Sequence, residues 1–134
     1  MDTIRKQKLA NREKQIQEFI LKYKAEYEKI DASIKNKILN SKAHQISNDI
    51  CENKIYTSAM VVLVYCFASL NANKITNALT EIMFEEAIIL AKSLDEYLKQ
   101  FNEPKGPLHG IPFSIKDTFD IKSFGKRFYL FFHS

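Results

Sequence analysis

The first 103 residues of this 134-residue chain contain neither glycine nor proline. All three glycines and all three prolines lie between Pro104 and Gly125, and the chain has no tryptophan. Glycine and proline impose backbone angles that interrupt regular structure, so their absence favours helices before Pro104 and their concentration after it indicates a shaped loop. Neither part contains an internal repeat or a low-complexity tract.

Cysteine is also scarce, since Cys51 and Cys66 are the only two. Two such positions provide neither a disulfide framework nor the spacing of a metal site. Cys66 lies in the apolar run Ala59–Leu70 and is predicted to pack as a small hydrophobic residue. That run has twelve residues. As a helix it spans about 18 Å, against about 30 Å of membrane hydrocarbon, so a buried core helix is predicted.

Positive charge is in excess only near the N-terminus. The net charge is +4, and residues 1–40 hold ten Lys/Arg against six Asp/Glu. A nucleic-acid groove needs a basic stripe with interleaved aromatic residues, whereas mixed signs are typical of a solvated helix. No nucleic-acid partner is therefore predicted. The charged start also provides no secretory signal, so a cytoplasmic location is expected, with peripheral membrane attachment left open.

Residues 3–40 read as one helix with an apolar seam that repeats at intervals of four and three residues. The seam is predicted to dock on the rest of the protein. Homodimerisation through this helix and contact with a membrane surface remain as alternatives. The seam consists of Ile16, Ile20, Tyr23, Tyr27, Ile30 and Ile34.

Shorter elements are predicted to follow this helix. Thr57 or Ser58 is a suitable N-cap for a helix that runs to about Leu70, before a polar turn. A short strand is predicted within residues 75–83, and Pro104 forbids continuation of the last helix. The other two predicted helices cover residues 42–53 and 84–100.

The most specific stretch is GPLHGIPFSIKD, from Gly106 to Asp117. Strand alternation puts Phe113 and Ile115 on one face, with Ser114 and Lys116 on the other. The strand thus presents Lys116 beyond a turn rich in glycine and proline. Three further polar residues are predicted to belong to turns or the surface rather than to a site: His109, Asp117 and Asp120.

This stretch resembles, without a gap, the lysine motif of the amidase signature family, most closely its fatty acid amide hydrolase branch. The order of elements upstream is similar too, so the resemblance covers residues 46–122. It implies an α/β fold in which helices flank a mixed sheet. This chain would be the N-terminal portion, mostly helical with one or two short strands. The implied organisation is a charged amphipathic helical arm (1–45), the N-terminal part of the amidase domain (46–125) and a divergent tail (126–134).

The resemblance also implies a chemistry, namely hydrolysis of a carboxylic or fatty acid amide through a serine acyl-enzyme. Lys116 would be the catalytic base of a Ser-Ser-Lys triad, with no cofactor and no metal. Such a base must be neutral, and because an ordinary lysine has a pKa of about 10.4, Lys116 would need burial away from water.

The family's two serines come from a Gly/Ser-rich segment far downstream of the lysine, and eighteen residues follow Lys116 here. The chain is therefore expected to be a truncated amidase that is inactive alone. The alternative is a catalytically inactive fragment that acts as a helical module docking on a protein or a membrane.

Overall fold

The computed structural model describes residues 2–115 and 129–131. The described part consists of five helices and a pair of short antiparallel strands, in which Phe113 lies opposite Phe131. This confirms the prediction of a mostly helical piece with one or two short strands. The elements are α1 (Asp2–Glu28), α2 (Ala32–Asn40), α3 (Ala43–Cys51), α4 (Ser58–Thr76), α5 (Phe84–Phe101), β1 (Phe113–Ile115) and β2 (Tyr129–Phe131).

The N-terminal region forms two helices, so the single helix predicted over residues 3–40 is wrong. The break comes before Asp31, the N-cap residue of α2. Its carboxylate accepts hydrogen bonds from the hydroxyl and the backbone N–H of Ser33, at 2.5 and 2.8 Å. These bonds lower the pKa of Asp31. Because an aspartate N-cap satisfies N–H groups that a helix start leaves unpaired, it stabilises a new helix at this point.

The apolar seam of α1 and α2 packs against the chain's own core, which confirms the predicted docking. Phe19 lies beside the seam on α1 and packs into the same core: its ring centroid is 5.6 Å from that of Phe67 in α4 and 5.2 Å from that of Phe84 in α5. Tyr27 stacks on Phe67 with ring centroids 4.2 Å apart. Of the predicted seam, Tyr23 and Ile30 are buried, and Ile16, Ile20, Tyr27 and Ile34 are partly buried against the core.

Polar contacts also join α1 to the α4–α5 connection. Arg12 donates to the backbone oxygen of Leu79, and Tyr23 donates its hydroxyl proton to Glu85 at 3.0 Å. Burial and the bond to Glu85 both raise the pKa of Tyr23. These hydrogen bonds fix α1 to α5 and to the connection that precedes it, in addition to the contact between the rings of Phe19 and Phe84.

Helix α4 is longer than predicted. It continues past Leu70 to Thr76 and ends where Asn77 adopts a left-handed conformation with φ of 49°. The polar turn predicted after Leu70 is therefore helical, and the strand predicted within residues 75–83 is wrong, since residues 77–83 form an irregular connection. An asparagine costs less than about 0.7 kcal/mol in a helix interior, and that cost is offset when the helix packs on its neighbours.

The core is centred on α4 and α5. Val61, Val62, Leu63, Val64 and Cys66 are buried in α4. Cys66 is fully buried, as predicted, and burial raises the pKa of its thiol. At 19 residues, α4 is also long and apolar enough to cross a membrane, by length and composition alone. This corrects the prediction that the run is too short, although core helices of soluble proteins meet the same criterion.

Candidate site at the turn before β1

Two tight turns connect the end of α5 to β1. The backbone N–H of His109 donates to the oxygen of Gly106, and the N–H of Ile111 donates to the oxygen of Leu108, each at 3.1 Å. Both bonds join residues three apart, the pattern of consecutive β-turns. Residues 106–111, named here the motif turn, therefore have a defined backbone path.

The motif turn is seated on α3 and on the start of α4. The hydroxyl of Ser47 donates to the oxygen of Pro107 at 3.3 Å. Gly110 is buried and has φ of 76°. A Cβ atom at this glycine would lie 2.6 Å from Ser58 Oγ and 2.8 Å from Ile50 Cδ1. Both the backbone angle and the close approach therefore require glycine here.

His109 is the buried polar residue of the motif turn, with 2% of its surface exposed. Its Nδ1 atom accepts a hydrogen bond from the backbone N–H of Lys105 at 3.2 Å. The neutral ring then carries its proton on Nε2. Burial lowers the pKa of His109, the charges of Lys105 and Lys54 lower it further, and Asp95 opposes them. The structure places His109 in a turn, as predicted, and shows that it is buried as well.

Asp95 of α5 joins the start of α4 to this site. Its two carboxylate oxygens accept the backbone N–H groups of Ser58 and Ala59, at 2.6 and 3.0 Å. Thr57 caps the same helix end, as predicted, by accepting the N–H of Met60 at 3.1 Å. A carboxylate at a helix N-terminus is favourable because the helix dipole is positive there. Asp95 therefore holds the surface on which the motif turn rests.

Asp95→Asn is expected to lower the free energy of unfolding by about 1–2 kcal/mol, because one of two charge-assisted acceptors becomes a donor at the helix N-terminus. Urea unfolding followed by circular dichroism measures the change. The matched control is Glu96→Gln, an exposed carboxylate one residue further along α5, which should change stability by less than about 0.5 kcal/mol. Equal effects of the two substitutions would contradict the capping role.

Of the polar residues singled out in the sequence, His109 is the one that the described part of the structure places at this site. Lys116, Asp117, Asp120 and His133 lie outside the described residues. Ser114 is exposed in β1, and His44 is exposed on α3. Within residues 2–115, no group of three or more His, Cys, Asp or Glu residues is arranged to hold a metal ion.

Sequence reasoning missed Asp95 and the burial of His109. Asp95 lies 37 residues from Ser58 in the chain, and α5 reads as an ordinary amphipathic helix with Asp95 on its water-facing side. The glycine and proline signal of the motif turn indicated a specific backbone shape but not what the turn packs against.

Comparison with protein families gives an independent finding. The amidase family model matches residues 60–126, which include most of α4, all of α5, the motif turn, β1 and Lys116. The matched segment amounts to half of the chain. No solved structure matches the chain.

Several curated fungal proteins are also similar to it. Amidase 1 of Gibberella moniliformis is 38% identical over 86 residues, which are 64% of this chain and 16% of that protein. The putative amidase kk1C of Curvularia clavata is 41% identical over 69 residues, covering 52% and 13%. An acetamidase of Emericella nidulans is 33% identical over 88 residues, covering 66% and 16%.

The chain thus spans about one sixth of the length of these relatives, as the 16% coverage of Amidase 1 and of the acetamidase indicates. The family match covers half of the chain and includes the motif turn and the strand that follows it. The chain therefore belongs to the amidase signature family.

Proposed function

We propose that this chain carries the lysine segment of an amide hydrolase, with Lys116 as the catalytic base. One observation carries the proposal: the family match includes a motif turn whose centre, His109 and Gly110, is buried against α3 and α4 shortly before β1. Lys116 directly follows Ile115, the last residue of that strand. A base must be held in a fixed position relative to its proton donor, and a strand that follows an anchored turn supplies such support.

The proposed reaction is a two-step acyl transfer. A serine hydroxyl attacks the amide carbonyl carbon while its proton passes through a second serine to the neutral amine of Lys116. The protonated lysine then returns that proton, by the same relay, to the leaving amine as the C–N bond breaks. Water hydrolyses the resulting ester and regenerates the serine. Both serines belong to the Gly/Ser-rich segment that the family places downstream of the lysine.

The proposed substrate class is a carboxylic amide. The printed name of the Emericella nidulans relative refers to acetamide, the smallest amide of this class with a carbon chain. The resemblance of the lysine motif to fatty acid amide hydrolases supports the finer proposal of a lipid amide. In an enzyme that combines this segment with both serines and a complete acyl channel, a panel of primary amides from two to eighteen carbons would separate the two substrates. A channel that accepts long chains gains affinity by about 0.8 kcal/mol with each buried methylene.

A segment exchange tests the proposed function against the docking-module alternative. Residues 46–125 of this chain would replace the corresponding segment of the Emericella nidulans acetamidase, which supplies the rest of the enzyme. We expect acetamide hydrolysis with kcat within about tenfold of the parent, a difference equivalent to about 1.4 kcal/mol of transition-state stabilisation. Ammonia release measures it, with the unmodified acetamidase as control. A folded exchange protein with the parent's melting temperature but no hydrolysis would refute the proposal and favour the docking module.

A further inference from the structure

We propose that His109 is a positioning residue for Lys116: as a neutral imidazole it fixes the motif turn on α3 and α4 and thereby sets the direction in which β1 leaves. The inference rests on the proposed role of Lys116 as base. His109 does not touch the reacting groups in this account, and its contribution passes through the backbone of the turn and the strand.

The first argument is the hydrogen bonding of the ring. His109 Nδ1 accepts the backbone N–H of Lys105, whereas His109 Nε2 is buried with no partner among the described residues. A buried N–H without an acceptor destabilises the fold, and an apolar side chain of similar size would fill the same space without that penalty. What the histidine contributes here is therefore its acceptor, which ties the start of the motif turn to its buried centre.

The second argument is the close packing of Gly110, the residue after His109, against α3 and α4. Gly110 leaves no space for a Cβ atom against Ser58 Oγ and Ile50 Cδ1, so the turn cannot shift toward α4. The hydroxyl of Ser58 is itself buried without a partner among the described residues. Gly110 is thus packed closely against Ser58 Oγ and Ile50 Cδ1, and the hydrogen bond from Lys105 to His109 fixes the turn at a second point.

The third argument is the short path from the ring to the base. Ile111 and Pro112 follow Gly110, and β1 begins at Phe113. The N–H of Ile111 is bonded within the turn, and proline at 112 restricts its own φ. A displacement of the His109 ring should therefore displace the backbone of β1 as well, because Ile111 and Pro112, which lie between them, have little conformational freedom. Displacements of about 1 Å in a catalytic group are enough to lower rates about a hundredfold.

The protonation state of His109 gives the proposal a specific pH dependence. Three charged groups act on it: Asp95 from α5, Lys105 from the segment between α5 and the motif turn, and Lys54 from the α3–α4 connection. Burial and the two lysines hold the pKa of His109 below its ordinary value of about 6.5, against the effect of Asp95. Protonation would turn Nδ1 into a donor that faces the Lys105 N–H. The turn should therefore be intact above the ordinary pKa and loosen as the pH falls through the lowered one.

Nitrogen-15 NMR of the 134-residue chain tests the inference directly. At neutral pH the His109 ring should give the pattern of a neutral ring protonated on Nε2. On acidification, the amide signals of Phe113–Ile115 should shift with the same midpoint as the ring, below the ordinary histidine pKa of about 6.5. A ring protonated on Nδ1, a charged ring at neutral pH, or strand signals that do not follow its titration would overturn the proposal.

Two matched variants separate the acceptor from mere packing. His109→Asn places an amide oxygen near the position of Nδ1, whereas His109→Leu keeps the bulk and removes the acceptor. Exchange of the Lys105 amide proton should stay near the wild-type rate in the Asn variant and become roughly tenfold faster in the Leu variant. Unchanged exchange and unchanged β1 shifts in the Leu variant would overturn the proposal.

The wild-type titration decides the question if neither variant folds. None of these readouts depends on hydrolysis. A failure here therefore leaves the role of Lys116 standing. An inactive segment exchange would remove the catalytic meaning of the positioning, but it would leave the effect of His109 on the motif turn and β1 to be decided by the NMR measurements.

Discussion

Gly110→Ala is expected to lower the free energy of unfolding by about 2–5 kcal/mol. A left-handed backbone costs a residue with a Cβ atom about 1–2 kcal/mol, and overpacking a full interior costs about 1–3 kcal/mol more. Both apply, because Gly110 has φ of 76° and its added Cβ would lie 2.6 Å from Ser58 Oγ. Ser58 is fully buried at the start of α4, so the added methyl group would press on a packed interior.

The matched control for this substitution is Gly106→Ala. A Cβ atom at Gly106 meets nothing within 4 Å, so the added methyl should change stability by less than about 1 kcal/mol. Urea unfolding of the three proteins under identical conditions gives the comparison. If Gly110→Ala proved as stable as Gly106→Ala, the motif turn would not be seated on α4 as described.

Lys116→Ala, in the segment exchange with the acetamidase, is expected to lower kcat about 10²- to 10⁴-fold. That is the range for loss of a general base. Lys116→Arg should be equally impaired, since a guanidinium group does not give up its proton under these conditions. Steady-state hydrolysis of acetamide measures both variants.

The control for the Lys116 variants is Lys99→Ala, which removes an exposed lysine from the last turn of α5 within the same segment. It should leave kcat within about twofold, because its ammonium group lies in solvent and takes no part in the chemistry. All exchange proteins should melt near the temperature of the parent. Activity retained by a folded Lys116→Ala protein would exclude the proposed base.

Helix positions were predictable wherever the signal is local. The predicted 84–100 helix matches α5 to within one residue, since its apolar positions follow a regular helical period and Pro104 stops it. Thr57 marks the start of α4 by a side-chain bond to an N–H three residues on. The predicted strand at Phe113–Ile115 is confirmed as β1. Its signal is local too, since apolar and polar residues alternate directly after a turn.

Two predicted helix boundaries were wrong. At the end of α4 tertiary packing outweighed the local signal, and between α1 and α2 the local signal was overlooked. Three successive polar or small residues after Leu70 suggested a turn, but packing of α4 carries the helix to Thr76. Conversely, the residues around Asp31 lack any glycine or proline, and the N-cap contact with Ser33 alone breaks the helix. Capping by an aspartate is a signal that the sequence contains, and weighting it properly would have separated α1 from α2.

The candidate site depends on contacts that no local pattern encodes. The motif turn rests on residues about 50 to 60 positions earlier in the chain, such as Ile50 and Ser58. The sequence predicted its special backbone from Gly110 and its neighbours, yet the burial of His109 and the support from Asp95 arise from tertiary packing. A resemblance identifies the lysine, whereas the supporting structure is visible only in three dimensions.

The role of Lys116 as a proton acceptor is tested most directly by chemical rescue. In the exchange protein carrying Lys116→Ala, added methylamine would take the place of the missing amine in the relay. The account predicts that hydrolysis recovers in proportion to the free-base concentration of methylamine, with no recovery from tetramethylammonium at equal ionic strength. A folded Lys116→Ala protein that hydrolyses acetamide at the unsubstituted rate, or one that methylamine never restores, would contradict it.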